Sequence, residues 1–132
     1  MKEGERFTAL FEISPEIVVA FGCLFQDQNP MHINDAFAKK HGFPKKIVYG
    51  NILNGFLSAF IGERLPVKSV LIHWQKIFYC KPVFCGDTVR LEATVENVSE
   101  SVGAVQFQYR FISSDGQVVA KGHFQIGLLL EK

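Results

Sequence analysis

The chain has 132 residues, 48% of them apolar and 20% charged, with a formal net charge of +1. That is the composition of one globular domain over 1–132, and its near-cancelling charges leave no basic stripe to neutralise phosphates, which excludes nucleic acid as a partner. Thirteen Phe against one Trp and three Tyr make an aromatic set that mostly lacks a polar handle, more than so short a chain readily covers, so homo-oligomerisation is expected.

The charged start Met1-Lys2-Glu3-Gly4-Glu5-Arg6 does not read as a signal peptide. The longest apolar stretch, Ile17 to Phe25, falls far short of the roughly 20 residues of a spanning helix, so no membrane partner and a cytoplasmic location are expected. Cys23, Cys80 and Cys85 are odd in number and form no Cys-x-x-Cys pair. They read as reduced, buried thiols with packing roles, and no metal site is expected.

In chain order, Arg6 to Ile13 alternate loosely as a strand. Ser14-Pro15-Glu16 then supplies an N-cap, a first-turn proline and an acidic first turn for a helix through Ile17, Val18, Phe21 and Leu24 that stops near Asp27. Asn34-Asp35 caps a short helix, Ala36 to His41, anchored by Phe37, with Gly42 where a left-handed C-terminal cap belongs. A third helix, about Gly50 to Leu65, carries Ile52, Leu53, Phe56, Leu57, Phe60 and Ile61, apolar over so much of its circumference that burial is expected.

Two-residue alternation takes over beyond Pro66: Val70, Ile72 and Trp74 on one strand, and Val89, Leu91, Ala93 and Val95 on the next. Val105, Phe107, Tyr109 and Phe111 follow, Ser114-Asp115-Gly116 turns the chain, and Val118 to Leu128 return. The class is α+β: one long antiparallel sheet with a buried central helix.

Chemistry concentrates in Phe25-Gln26-Asp27-Gln28-Asn29-Pro30-Met31-His32. Pro30 removes an N–H and biases Asn29 toward extended backbone, so the chain turns between Asp27 and His32 and can aim both side chains at one point. Asn29 has an amide suited to holding that turn. A carboxylate beside an imidazole exchanges protons near neutral pH, whereas the plain alternative is a helix-stopping turn with a polar rim. The start of the third helix, Gly50-Asn51, adds free backbone N–H groups that can hold a carbonyl oxygen gaining negative charge. Phe25, Met31, Phe56 and Phe60 are candidates for an apolar lining.

Asp27-Gln28-Asn29-Pro30-Met31-His32, followed by Ile33-Asn34-Asp35-Ala36-Phe37-Ala38, resembles the hydratase signature of MaoC-like (R)-specific enoyl-CoA hydratases. Lys46-Ile47-Val48-Tyr49-Gly50, Ser58, Leu65-Pro66 and Lys81-Pro82-Val83-Phe84-Cys85-Gly86-Asp87 are similar to later landmarks of that family. The resemblance implies a hot-dog fold, Asp27 and His32 as a catalytic dyad, the Gly50 N–H on the thioester carbonyl, and Ser58 in support. The implied reaction is reversible syn addition of water across a trans-2-enoyl thioester. Coenzyme A or acyl carrier protein would enter only as part of the substrate, with no separate cofactor, and a homodimer or higher homo-oligomer is expected.

This chain departs from the family pattern at Phe25-Gln26 and at Tyr49, where the family often has small residues and a His, which bears on the acyl pocket. Gly55 fits either close approach of an acyl tail or backbone or simple helix–sheet packing, and Ser58 either the site or a bond to its own helix. The cluster Lys39, Lys40, Lys45 and Lys46 fits phosphate or carrier-protein contacts, or a solvated face. Two rivals stand beside the hydratase: a hot-dog acyl thioesterase or carrier-protein dehydratase with an acid inside the central helix, disfavoured because no carboxylate precedes Glu63 there, and a silent acyl-thioester-binding subunit.

Overall fold

The computed structural model describes residues 1–132. Five strands, β1 (Arg6–Glu12), β2 (Val70–Tyr79), β3 (Thr88–Ser99), β4 (Ala104–Ser113) and β5 (Val118–Leu128), form one sheet in the order β1-β3-β4-β5-β2. Every pairing is antiparallel. Four helices, α1 (Pro15–Phe25), α2 (Pro30–Ile33), α3 (Asp35–Lys40) and α4 (Asn51–Glu63), lie between β1 and β2 in the chain.

The sheet alternates as its sequence requires. Leu91 faces Phe111, Ala93 faces Tyr109, Val95 faces Phe107, and Phe107 in turn faces Phe124, all of them buried. Against this inner face α4 sets Ile52, Leu53, Phe56, Leu57, Phe60 and Ile61. Phe11 of β1 stacks on Phe56 at 4.8 Å, and Phe107 on Phe124 at 4.6 Å. Each such side chain contributes about 1.5–3 kcal/mol of apolar burial, so the helix–sheet seam is the principal source of stability.

The expected caps form. Ser14 Oγ accepts the Ile17 N–H at 3.2 Å, Asn34 Oδ1 accepts the Phe37 N–H at 3.0 Å, and Gly42 has φ +90°, just past α3. At the β4–β5 turn Gly116 has φ +84° and its N–H donates to Ser113 O at 2.9 Å.

Four expectations need correction. The segment after Asp27 is not only a turn, because Asn29 caps, and Pro30 begins, the one-turn helix α2. The central helix is buried on one side alone: Asn51, Gly55, Ser58, Ala59 and Gly62 are exposed, since the sheet covers a single face. The strand expected over Val70–Gln75 runs to Tyr79 and exposes both faces, leaving Leu71, Ile72, Trp74, Phe78 and Tyr79 in contact with solvent, because it is the sheet's edge and the core ends short of it. The cysteines are unpaired as expected but not buried. Cys23 lies on the outward side of α1, Cys80 just past the end of β2, and Cys85 is half-buried.

Candidate active site

The region around Asp27 is built on the end of α1. Gln26 takes the left-handed conformation (φ 55°), and its N–H donates to Gly22 O. The same carbonyl accepts the Asp27 N–H at 3.1 Å and Gln28 Nε2 at 3.3 Å, so three donors converge on one oxygen and fix the turn. Asp27 Oδ1 accepts the Asn29 N–H at 3.2 Å, and Asn29 Oδ1 accepts the Met31 N–H at 2.9 Å. The carboxamide at position 29 therefore does hold the turn, as the start of α2, and Pro30 fits there because a first-turn N–H needs no partner.

His32 sits in the last turn of α2, half-buried. Its Nδ1 lies 2.9 Å from Ile47 O. A carbonyl oxygen only accepts, so Nδ1 carries the hydrogen and the neutral ring presents its lone pair at Nε2. The Ile47 N–H donates to Met31 O at 3.0 Å, which ties this segment to α2 from both directions, and the Val48 N–H donates to Val83 O at 2.9 Å on its other side.

Tyr49 is buried, 4% exposed. Its hydroxyl donates to Asp27 O at 2.6 Å, and its ring lies 4.3 Å from the His32 ring, centroid to centroid. Burial raises its pKa above the ordinary phenol value, and the nearby Asp27 and Cys23 charges add to the rise, so it is a neutral donor. The first bonds of α4 come from Ile52 to Tyr49 O and Leu53 to Gly50 O, which leaves the N–H groups of Gly50 and Asn51 ahead of the ladder without an acceptor in the chain.

A cavity of about 300 Å³ joins His32, Ile47, Gly50, Leu53, Tyr79 and Lys81. Tyr79 was not anticipated, having no sequence signal beyond its place after an expected strand. Its ring lies where a side chain at Gly50 would come within 3.0 Å of it, and its hydroxyl donates to Asn51 Oδ1 at 3.1 Å. Asn54 Nδ2 donates to both Asn51 Oδ1 and Tyr79 Oη, and Gln75 Nε2 donates to Asn54 Oδ1. Burial raises the Tyr79 hydroxyl's pKa, opposed by its bond with Asn54.

The other expected residues are dispersed. Phe56 is a core residue stacked on Phe11, Phe60 is fully buried, Met31 is half-buried, and Phe25 is 69% exposed beside Phe21. Gly55 and Ser58 lie on the open side of α4, with nothing within 4 Å of a side chain built at Gly55. Lys39, Lys40, Lys45 and Lys46 are exposed, with Lys45 Nζ 5.6 Å from the Phe84 ring centroid. A larger cleft, about 460 Å³, lies on the outer face of the sheet among Arg6, Glu92, Gln108, Arg110 and Lys121. Its one carboxylate, Glu92, is committed to ion pairs with Arg90 and Arg110, each 3.0 Å, and it holds no imidazole, so size does not make it the reactive site.

An antiparallel sheet packed on a central helix, with Asp27 and His32 both tied to Tyr49 ahead of that helix, defines a hot-dog domain of the hydratase and dehydratase kind. The family model described as "MaoC like domain" matches residues 2–115, and the chain belongs to that family. It is 32% identical over 111 residues to an (R)-specific enoyl-CoA hydratase of Aeromonas caviae, covering 84% of this chain and 83% of the relative. To the enzyme of that name from Rhodospirillum rubrum it is 32% identical over 122 residues, covering 92% and 84%. Among solved structures, the (R)-hydratase from A. caviae involved in PHA biosynthesis superposes with a TM-score of 0.90 at 28% identity, covering 98% of each chain.

Proposed function

We propose that this chain is an (R)-specific enoyl-CoA hydratase, adding water reversibly across a trans-2-enoyl thioester to give the (3R)-3-hydroxyacyl thioester. The observation that carries the reading is His32, with Nδ1 committed to Ile47 O and its ring against the Tyr49 side chain that also bonds Asp27. In the proposed reaction Asp27 and His32 orient a water and take its proton as the oxygen bonds to C3. A proton then reaches C2 on the same face, and the Gly50 and Asn51 N–H groups receive the thioester oxygen as it gains negative charge. Only water and protons move, so the reaction calls for no cofactor beyond the thioester carrier. Lys39, Lys40, Lys45 and Lys46 supply a positive surface suited to coenzyme A phosphates or to an acidic carrier protein.

The proposed assembly is a homodimer through the free edge of β2, whose exposed Leu71, Ile72 and Trp74 and unpaired backbone suit strand pairing. No helix is long and apolar enough to cross a membrane. The three unpaired cysteines support a reducing, cytoplasmic setting.

Hydration of enoyl-CoA substrates of graded length, with product stereochemistry determined, tests the function. Asp27→Asn and His32→Asn are each expected to lose about 10²–10⁴-fold in kcat. The second variant retains a donor for Ile47 O while losing Nε2. Thioester hydrolysis in place of hydration, or no turnover at any length, would overturn the reading.

A further inference from the structure

The Tyr49 side chain touches both Asp27 and His32. Its hydroxyl bonds the main-chain oxygen of Asp27, 22 residues earlier, while its ring lies against His32. The same ring packs at 4.8 Å from Phe21, so it joins α1, α2 and the segment entering α4. Space for the hydroxyl is made by Gly22, where an added Cβ would stand 2.6 Å from Tyr49 Oη and 3.3 Å from Cζ. Gly22 is also the residue whose carbonyl gathers the N–H groups of Gln26 and Asp27. Glycine weakens a helix interior, and Gly22 is the only buried residue of α1, so its place is explained by the phenol beside it rather than by helix formation.

We propose that Tyr49 is a positioning residue that sets Asp27 and His32 relative to one another, holding the first through its carbonyl and the second through its ring, and that Gly22 is the small residue this brace requires. The proposal rests on the reading of Asp27 and His32 as the reacting pair. It adds that their mutual geometry is imposed by a third side chain which itself transfers no proton. Misplacement of a reacting group by about 1 Å can cost as much as 10²-fold in rate, so a brace of this kind acts on kcat more than on KM.

Two substitutions disturb the brace from opposite sides. Tyr49→Phe removes the hydroxyl and keeps the ring, and is expected to lower kcat about 10-fold with KM for crotonyl-CoA within about two-fold, the scale of one hydrogen bond. Gly22→Ala drives the hydroxyl off Asp27 O and should lower kcat similarly, with a fall in melting temperature from the clash that Tyr49→Phe in the same chain relieves. In the double variant the hydroxyl that clashes is gone, so kcat should match Tyr49→Phe alone rather than fall by the product of the two losses. Independent, multiplying effects, or wild-type kcat in both single variants while Asp27→Asn is inactive, overturn the brace and leave the dyad standing. Full activity in Asp27→Asn overturns the dyad and the brace with it.

A proton NMR spectrum reads the geometry without turnover. The carbon-bound ring protons of His32 are expected upfield of free histidine because of the adjacent aromatic ring, in wild type and Tyr49→Phe alike, and to return in Tyr49→Leu. Unshifted His32 protons in the wild type overturn the proposal even if no thioester proves to be a substrate.

Discussion

Replacing Gly122 by Ala tests a close approach of two strands in the sheet. Gly122 lies in β5 between Ile77 of β2 and Tyr109 of β4. A Cβ there would stand 1.8 Å from Lys76 O, 2.8 Å from Lys76 C and 3.0 Å from Tyr109 Oη. Ordinary contact begins near 3.4 Å, so β2 must move away from β5 by about 1.6 Å. Because the Cβ is fixed to one strand and the nearest atoms it meets are backbone of the next, the cost belongs at the upper end of the roughly 1–3 kcal/mol typical of overpacking. The shift also pulls Lys76 O from the buried Tyr109 hydroxyl that donates to it at 2.9 Å, and an orphaned buried donor costs about 1–3 kcal/mol. The two together come to about 4–6 kcal/mol, or about 16–24 °C in melting temperature at about 4 °C per kcal/mol for a chain of this size. Trp74, the sole tryptophan, lies on β2 and reports the event by fluorescence during thermal unfolding. Tyr109→Phe removes only the hydroxyl contribution, so Gly122→Ala in that background should still cost the overpacking part, about 3 kcal/mol. A melting temperature within about 3 °C of wild type for Gly122→Ala would refute the close approach of the two strands.

Burial alone would raise the Glu92 carboxyl, but hydrogen bonds from Arg110 and Arg90 outweigh it and hold the group below the usual range. A carboxylate lowered on folding stabilises the chain above its unfolded pKa of about 4.3 and loses that contribution as pH falls through the folded value. The stability gap between wild type and Glu92→Gln in urea melts should therefore close below about pH 4, and a gap unchanged down to about pH 3 would contradict the ion pairs. Ile72→Lys places a charge on the exposed edge strand and is expected to convert the proposed dimer to monomer in sedimentation, whereas a monomeric wild type would refute the assembly.

Local order was legible wherever a side chain acts on its own neighbourhood. Ser14 and Asn34 cap the helices they announce, Gly116 turns the hairpin, and the alternation of β3, β4 and β5 survives because both ends of each pair bury the same face. The break in the chain between Asp27 and His32 was legible for the same reason, since Asn29 and Pro30 act locally there. What stayed hidden depends on partners distant in the chain. Nothing near His32 announces that Ile47 will fix its tautomer, and Tyr49, read as a departure at the pocket, is a buried link between two segments. The open side of α4 and the exposed β2 were misread because apolar patterning tells that a surface is to be covered, not whether the same chain covers it.

The one-turn helix α2 has a consequence for how long the site survives under stress. Four residues cannot sustain a helix by themselves, and its long-range hydrogen bonds, at Met31 O and His32 Nδ1, both lead to Ile47. Release of that single residue leaves the imidazole held by the Tyr49 ring alone while every strand pairing remains intact. Catalytic competence therefore has a narrower thermal window than the fold: warming should silence the chain through a local opening that circular dichroism of the sheet does not register.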